Sequence, residues 1–258
     1  GKSQLAHAAA VASKRLFLPF VVDSRTEASD LMWRYDAVAR SADAHLCSVP
    51  NANVPTGLAA VHYVQPGPLW WAFNWNDALK QCDKLRAAPP RPVAPEGWTA
   101  AQGCVVLIDE IDKAEAELPN GLLEALGNGG FQVPLAETTV QRPKNMPAPL
   151  VIITTNEERE LPAPFLRRCL VLTLKLPTGA ELKRFVVDRG TLHFPQLAEQ
   201  HPELLPKAAD LLLEDRQTAH ELGVYLPGLA EYLDLLRALA GLGGDPIATL
   251  NDLRAFVY

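Results

Sequence analysis

Cysteine is scarce in this chain, and its spacing excludes most cysteine chemistry. The four residues Cys47, Cys82, Cys104 and Cys169 lie far apart, no two form a CxxC pair, and the six histidines are equally scattered. That pattern supports neither a zinc site nor a disulfide framework, and a reducing compartment is the expectation. No apolar run approaches the roughly 18 residues that a membrane span requires, and no signal peptide is visible. A cytoplasmic protein without a membrane partner is expected. Basic residues are outnumbered, 24 Lys and Arg against 30 Asp and Glu, for a net charge of −6. No global field draws in a phosphate backbone, so nucleic acid is not expected as the main partner. An initiator Met is lacking too. The chain opens on Gly1-Lys2-Ser3 and stops at Tyr258 after a helical-looking run, so it is expected to be part of a longer protein.

What is present centres on Cys104 to Lys113, CVVLIDEIDK. Its unbroken apolar run reads as a strand buried on both faces, the habit of a central strand in a parallel α/β sheet. Asp109 and Glu110 stand where that strand ends, at the sheet edge where open α/β folds bind ligands. An Asp there can hold Mg²⁺ and the adjacent Glu can polarise a water. The plain alternative is a helix start, which also favours acids.

Gly1-Lys2-Ser3 opens an Ala-rich helix and matches the close of the P-loop, G-x-x-x-x-G-K-[ST]. In that motif backbone N–H groups cradle phosphates, the Lys reaches the β- and γ-phosphates and the hydroxyl ligates Mg²⁺. The earlier Gly is missing, so the motif is half present. Its pairing with Asp109-Glu110 gives it weight, one half supplying phosphate binding and the other the metal.

Further strands are expected at 17–23, at 62–64, at 150–156 and at Leu170 to Leu174, and a hairpin over 131–141. The spacing of Leu31, Met32, Tyr35 and Val38 predicts an amphipathic helix over 25–40, followed by a loop over 41–59 containing Pro50, Asn51, Asn53, Pro55 and Gly57. The aromatic cluster Leu69 to Trp75 reads as core packing in preference to a docking surface. A helix is expected over 76–87, a stiff loop at the Pro-rich 89–95, and another helix over 118–126. Beyond Thr178 only helical periodicity is found, at 181–189, 203–214 and 229–239. The expected organisation is an α/β part at 1–177 and a helical part at 178–258.

In order, these features are GKS and a helix, a strand ending in Asp-Glu, a strand ending in Asn156, two arginines, and a helical part. That order resembles the AAA+ ATPases, and the segments VVLIDEIDKA (105–114) and LVIITTNEERELPAPFLRRC (150–169) look most like the MoxR-like branch. The resemblance implies a P-loop three-layer αβα sandwich followed by a small helical lid domain, with ATP and Mg²⁺ as cofactors. It places Gly1, Lys2, Ser3 and Gln4 at the phosphates, Ser3 and Asp109 at the metal, and Glu110 as the residue that activates water. Asn156 matches the sensor 1 position. Arg168, with Arg167 second, falls where the family's trans-acting arginine finger lies. The resemblance also implies a ring, a hexamer by habit, that remodels a protein partner, possible partners including von Willebrand factor A domain proteins. MoxR-like proteins carry an insertion near the second helix, for which 41–75 is the candidate.

One departure stands out: no arginine occupies Leu226 to Glu231, where sensor 2 belongs, and Arg237 lies two turns on. Two other readings remain open. One is a nucleic-acid-associated motor akin to the McrB group. The other is a nucleotide-gated scaffold, for instance in a bacterial defence system.

Overall fold

In the computed structural model, which describes residues 1–47, 58–87 and 89–253, the chain divides into two units, Gly1–Leu172 and Thr173–Tyr258. In chain order the first unit contains α1 (Lys2–Ser13), β1 (Leu16–Val21), α2 (Ala28–Met32), β2 (Trp33–Tyr35) and α3 (Ala37–Cys47). It continues with β3 (Val64–Pro66), α4 (Pro68–Phe73), α5 (Trp75–Cys82), β4 (Cys104–Asp109), α6 (Glu117–Asn128), β5 (Gly130–Val133), β6 (Thr138–Gln141), β7 (Leu150–Ile153) and α7 (Ala163–Leu166). The second unit contains α8 (Gly179–His193), α9 (Pro195–Gln200), α10 (Leu204–Leu222), α11 (Leu229–Gly241) and α12 (Pro246–Leu253).

The sheet that positions the site runs β1-β4-β7, all parallel. β4 lies in the middle, and Val105, Val106 and Ile108 are fully covered. A central parallel strand is packed on both faces, which is why its sequence is apolar without alternation. In register, Val21 faces Asp109 and Ile108 faces Ile153, so the carboxyl ends of the three strands lie together. Helices flank the sheet, giving the P-loop αβα architecture.

The aromatic cluster lies in this unit's core, with Trp70 1% exposed and its Nε1–H donated to Asp77 Oδ2 at 2.8 Å. A buried indole has to find such an acceptor. The hairpin β5-β6 also forms, pairing Phe131 with Val140.

Three expectations need correction. The helix expected over 25–40 is interrupted, because Trp33–Tyr35 pairs antiparallel with Val64–Pro66. Cross-strand pairing there overrides a helical period of only a few residues. The strand expected at 62–64 accordingly begins only at Val64, after a 3₁₀ turn over Ala60–Tyr63. Second, residues 41–47 belong to α3 instead of a loop, and Asp36 starts that helix by accepting the Ala39 N–H at 2.8 Å. The remainder of that expected loop, residues 48–57, lies outside the described residues, as does that part of the insertion expected over 41–75.

Third, Leu170 to Leu174 forms no strand. Leu170 is fully exposed and Val171 and Leu172 are largely so, and among the described residues no backbone hydrogen bond ties this run to a neighbour. β-branched and leucine-rich character makes a strand only where an edge is there to pair with it.

The helical unit packs α8, α10 and α11 around Val186, Leu212, Tyr232 and Leu236. Tyr232 is fully buried and donates its hydroxyl to Leu205 O at 2.9 Å. Gly190 allows that packing, since a Cβ there would come within 3.0 Å of Tyr232 Cε1 and 2.9 Å of Leu236 Cδ1.

Candidate functional site

The site forms where β4 ends beside the start of α1 and the loop leaving β7. Ser3, in the first turn of α1, donates its Oγ–H to the Asp109 carboxylate, 3.0 Å from Oδ1 and 2.8 Å from Oδ2. Lys2 Nζ donates to Thr155 O at 2.6 Å and to Asn156 Oδ1. On its other side, the Asn156 amide donates Nδ2–H to Glu110 Oε1 at 3.2 Å. Lys113 Nζ then pairs with Glu110 Oε2 at 2.5 Å. These contacts make one continuous polar line, Lys2 to Asn156 to Glu110 to Lys113.

The backbone helps to aim it. Glu110 has φ 61° and ψ 48°, the left-handed region that a residue with a Cβ enters at a cost of about 1–2 kcal/mol. Thr154 stabilises that conformation by accepting the Glu110 N–H at 3.0 Å while donating its hydroxyl to Asp109 Oδ1. Ile111 N–H donates to Thr154 O at 3.0 Å. One threonine at the end of β7 thus ties both acids of β4.

Electrostatically the site is a mixed cluster of carboxylates and ammonium groups. The hydrogen bond to Glu110 holds the Lys113 ammonium pKa above its ordinary value, against a smaller opposing effect of burial. Asp112 is 2% exposed. Burial pushes its carboxyl upward, but the N–H groups of Glu158, Asp112 itself and Asn156, with the Thr155 hydroxyl, outweigh that and hold it below the usual range.

Of the residues singled out in the sequence, the fold brings together Lys2, Ser3, Asp109, Glu110 and Asn156. Gly1 stands at the start of α1, where its carbonyl accepts the Leu5 N–H at 3.3 Å. Gln4 is exposed on that helix. Arg167 and Arg168 follow α7, are exposed, and hydrogen-bond to none of the five. In the helical unit Arg237 is ion-paired with Asp234 on an exposed surface. Arg216 donates instead to Pro227 O, within the stretch where sensor 2 would be sought. It also lines a cavity of about 340 Å³ with Pro177, Thr178, Leu182, Leu213 and His220.

Sequence reasoning passed over Thr154, Asp112 and Lys113 as site residues. The signal was present in the repeated acid of Asp-Glu-Ile-Asp and in the hydroxyl pair before Asn156, but neither has a period that marks it.

Among the described residues no three His, Cys, Asp or Glu side chains converge on a metal site. The donor pair Ser3 and Asp109 nevertheless fits Mg²⁺, a hard cation that takes one or two protein oxygens and fills its shell with water and phosphate. Also among the described residues, no helix is long and apolar enough to cross a membrane.

A parallel sheet whose central strand ends in two acids beside a Gly-Lys-Ser helix start defines a P-loop nucleotide-binding domain. More narrowly, the model of the AAA domain family, dynein-related subfamily, matches residues 1–169 of the 258. The chain belongs to that family, a family of ATPases. No curated protein matches it. A crystal structure of a candidate ATPase from Cytophaga hutchinsonii is similar at a TM-score of 0.36 and 12% identity, over 93% of this chain and 51% of that one. The present chain thus spans about half the length of that protein.

Proposed function

We propose that this chain is a MoxR-like AAA ATPase that binds Mg²⁺·ATP at its β4 edge and hydrolyses it at an interface with a second copy. The observation that carries the reading is the polar line from Lys2 through Asn156 to Glu110, with Ser3 on Asp109 beside it. Lys2, an exposed ammonium at a helix N-terminus, is placed to exchange its protein acceptors for phosphate oxygens. Ser3 and Asp109 would hold Mg²⁺, which when bound supplies charge neutralisation at the phosphates.

Glu110 is the base. It accepts a proton from a water whose oxygen bonds to the γ-phosphorus as the bond to the bridging oxygen breaks. Asn156, already hydrogen-bonded to Glu110, orients that water. Hydrolysis is then mostly a matter of positioning and charge, as phosphoryl transfer requires.

Arg168, with Arg167 as the second choice, is the proposed trans finger. Both guanidiniums are exposed, and no hydrogen bond or ion pair engages either among the described residues. Such a residue contributes about 10³–10⁵ in rate. A neighbour-supplied arginine couples hydrolysis to assembly, and a ring, by family habit a hexamer, follows. Differential contact in the two nucleotide states then gives the force to remodel a protein partner, a von Willebrand factor A domain protein being one choice. The Lys113–Glu110 ion pair, which occupies one oxygen of the base, favours a second reading in which turnover is slow and ATP binding gates a scaffold.

The test is the ATPase rate against protein concentration. The rate should rise more steeply than linearly, and Glu110→Gln and Arg168→Ala should abolish it. Mixed with wild type, Arg168→Ala subunits should still bind ATP and poison their neighbours. A rate strictly proportional to concentration would overturn the ring. Nucleotide binding with no turnover would leave the scaffold, and stimulation by DNA alone would point to a nucleic-acid motor.

A further inference from the structure

The loop that presents Asn156 is not held by sheet or helix. Beyond Thr154 O, which accepts from Ile111, no backbone–backbone hydrogen bond fixes residues 155–161 among the described residues. The N–H bonds of this loop go to side chains. Asn156 N–H donates to Asp112 Oδ2 at 3.1 Å, Glu157 N–H to Thr155 Oγ1 at 2.9 Å, and Glu158 N–H to the same Asp112 Oδ2 at 2.9 Å. Glu157, between the two N–H groups that Asp112 gathers, has φ 61°. One carboxylate therefore closes a tight turn around a left-handed residue, and it does so from inside the protein, 2% exposed. Burying a carboxylate is costly unless it is hydrogen-bonded, and here both loop N–H groups, donors of the stronger kind to a charged acceptor, meet the one oxygen Oδ2. Asp112 itself sits on the short turn Ile111–Lys113, directly after Glu110. The same turn thus carries the base at one end and the anchor of the Asn156 loop in its middle.

We infer that Asp112 is a positioning residue: by fixing the Asn156 and Glu158 N–H groups it sets where the Asn156 amide stands relative to Glu110. This rests on the ATPase reading for its catalytic consequence, but the anchoring itself does not. Asp112 is buried beneath the loop and its Oδ2 is taken by the two loop N–H groups, so it acts through Asn156. A change there should move the catalytic constant and leave nucleotide affinity alone.

The experiment compares Asp112→Ala and Asp112→Asn with the intact protein. Because a misplacement of about 1 Å costs about 10²-fold, Asp112→Ala should lower kcat by about that factor with KM within about threefold. Asp112→Asn keeps an uncharged oxygen acceptor for both N–H groups and should recover about tenfold of the loss, as suits a neutral acceptor weaker than a charged one. Binding of a fluorescent ATP analogue should be unaltered in both. Amide hydrogen exchange supplies the readout independent of hydrolysis. In Asp112→Ala the amides of 156–158 should lose protection while those of β4 and β7 keep theirs. Unchanged kcat, a KM effect alone, or unchanged exchange at 156–158 would overturn the inference. Loss of protection throughout β4 and β7 in the Asn variant would also overturn it, by showing a general structural role. Should wild type fail to hydrolyse ATP, the proposed function falls, and exchange at 156–158 still decides whether Asp112 anchors the loop.

Discussion

The side-chain amide of Asn156 and the carboxylate of Glu110 meet at 3.2 Å, although they are 46 positions apart in the chain. The amide turns its oxygen to Lys2 and its nitrogen to Glu110, so it bridges a cation and an anion. Asn156→Ala should therefore lower kcat by about 10²–10³, the loss expected for one preorganised polar contact, with ATP affinity retained. Asn156→Asp should be no better, since it sets two carboxylates side by side. Steady-state kinetics with a parallel equilibrium binding titration checks both variants.

Removing the hydroxyl of Ser3 deletes both of its bonds to Asp109. If Ser3 and Asp109 share Mg²⁺, Ser3→Ala should raise the Mg²⁺ concentration needed for half-maximal activity by about tenfold or more, in line with the loss of one metal contact. Chelation with EDTA should abolish hydrolysis in wild type, and added Mg²⁺ should restore it. A Mg²⁺ titration of each protein is the measurement.

The helical unit should lose stability in acid through Glu231. Burial pushes its carboxyl upward, while the Gly228 N–H, its own N–H, the Tyr225 hydroxyl and the Arg216 charge outweigh that and hold it below the ordinary 4.5. The depressed group releases its proton more readily in the folded state, so the stability it contributes is complete above 4.5 and is lost as pH falls through the lower folded value. Glu231→Gln should flatten that acid limb. Thermal unfolding followed from pH 7 downward, in wild type and variant, tests it.

Gly190→Ala should destabilise the helical unit even though Ala is the better helix former by about 1 kcal/mol. A methyl group there meets Tyr232 and Leu236 at 3.1 Å or less. Overpacking costs about 1–3 kcal/mol, so the net effect is a loss. Denaturant unfolding should show a lower midpoint with an unchanged slope.

Thiol labelling of the native protein should find Cys47 first, because it is exposed. Burial pushes the Cys104 thiol up to about 12 and raises those of Cys82 and Cys169 as well. The thiolate is the reactive form, so Cys104 should stay unlabelled at neutral pH until denaturant is added. Mass spectrometry of peptides labelled with iodoacetamide separates the four sites.

The parts legible in the sequence were those with strong local signals. β4 could be read because burial on both faces leaves an unbroken apolar run, and the hairpin and the α6 helix because turn residues bound them. Trp33–Tyr35 is not legible as a strand because three residues carry no usable period, and their partner, Val64–Pro66, lies some thirty positions away. Leu170 to Leu174 departs from its sequence signal in the opposite direction. Its composition suits a strand, but composition supplies no partner edge.

Taken alone, the sequence determined that a P-loop helix start and a doubly acidic strand occur in one chain, and it identified Lys2, Ser3, Asp109, Glu110 and Asn156 as a set. Each belongs to a short motif whose chemistry follows from residue type and local order. Only the tertiary structure decided how they are joined. Parallel pairing of β4 with β7 brings Thr154 to Asp109 and Asp112 to the Asn156 loop, contacts between segments more than forty positions apart. Hydrogen bonds of that reach depend on strand register, and register is fixed by the packing of the whole sheet and by no local motif.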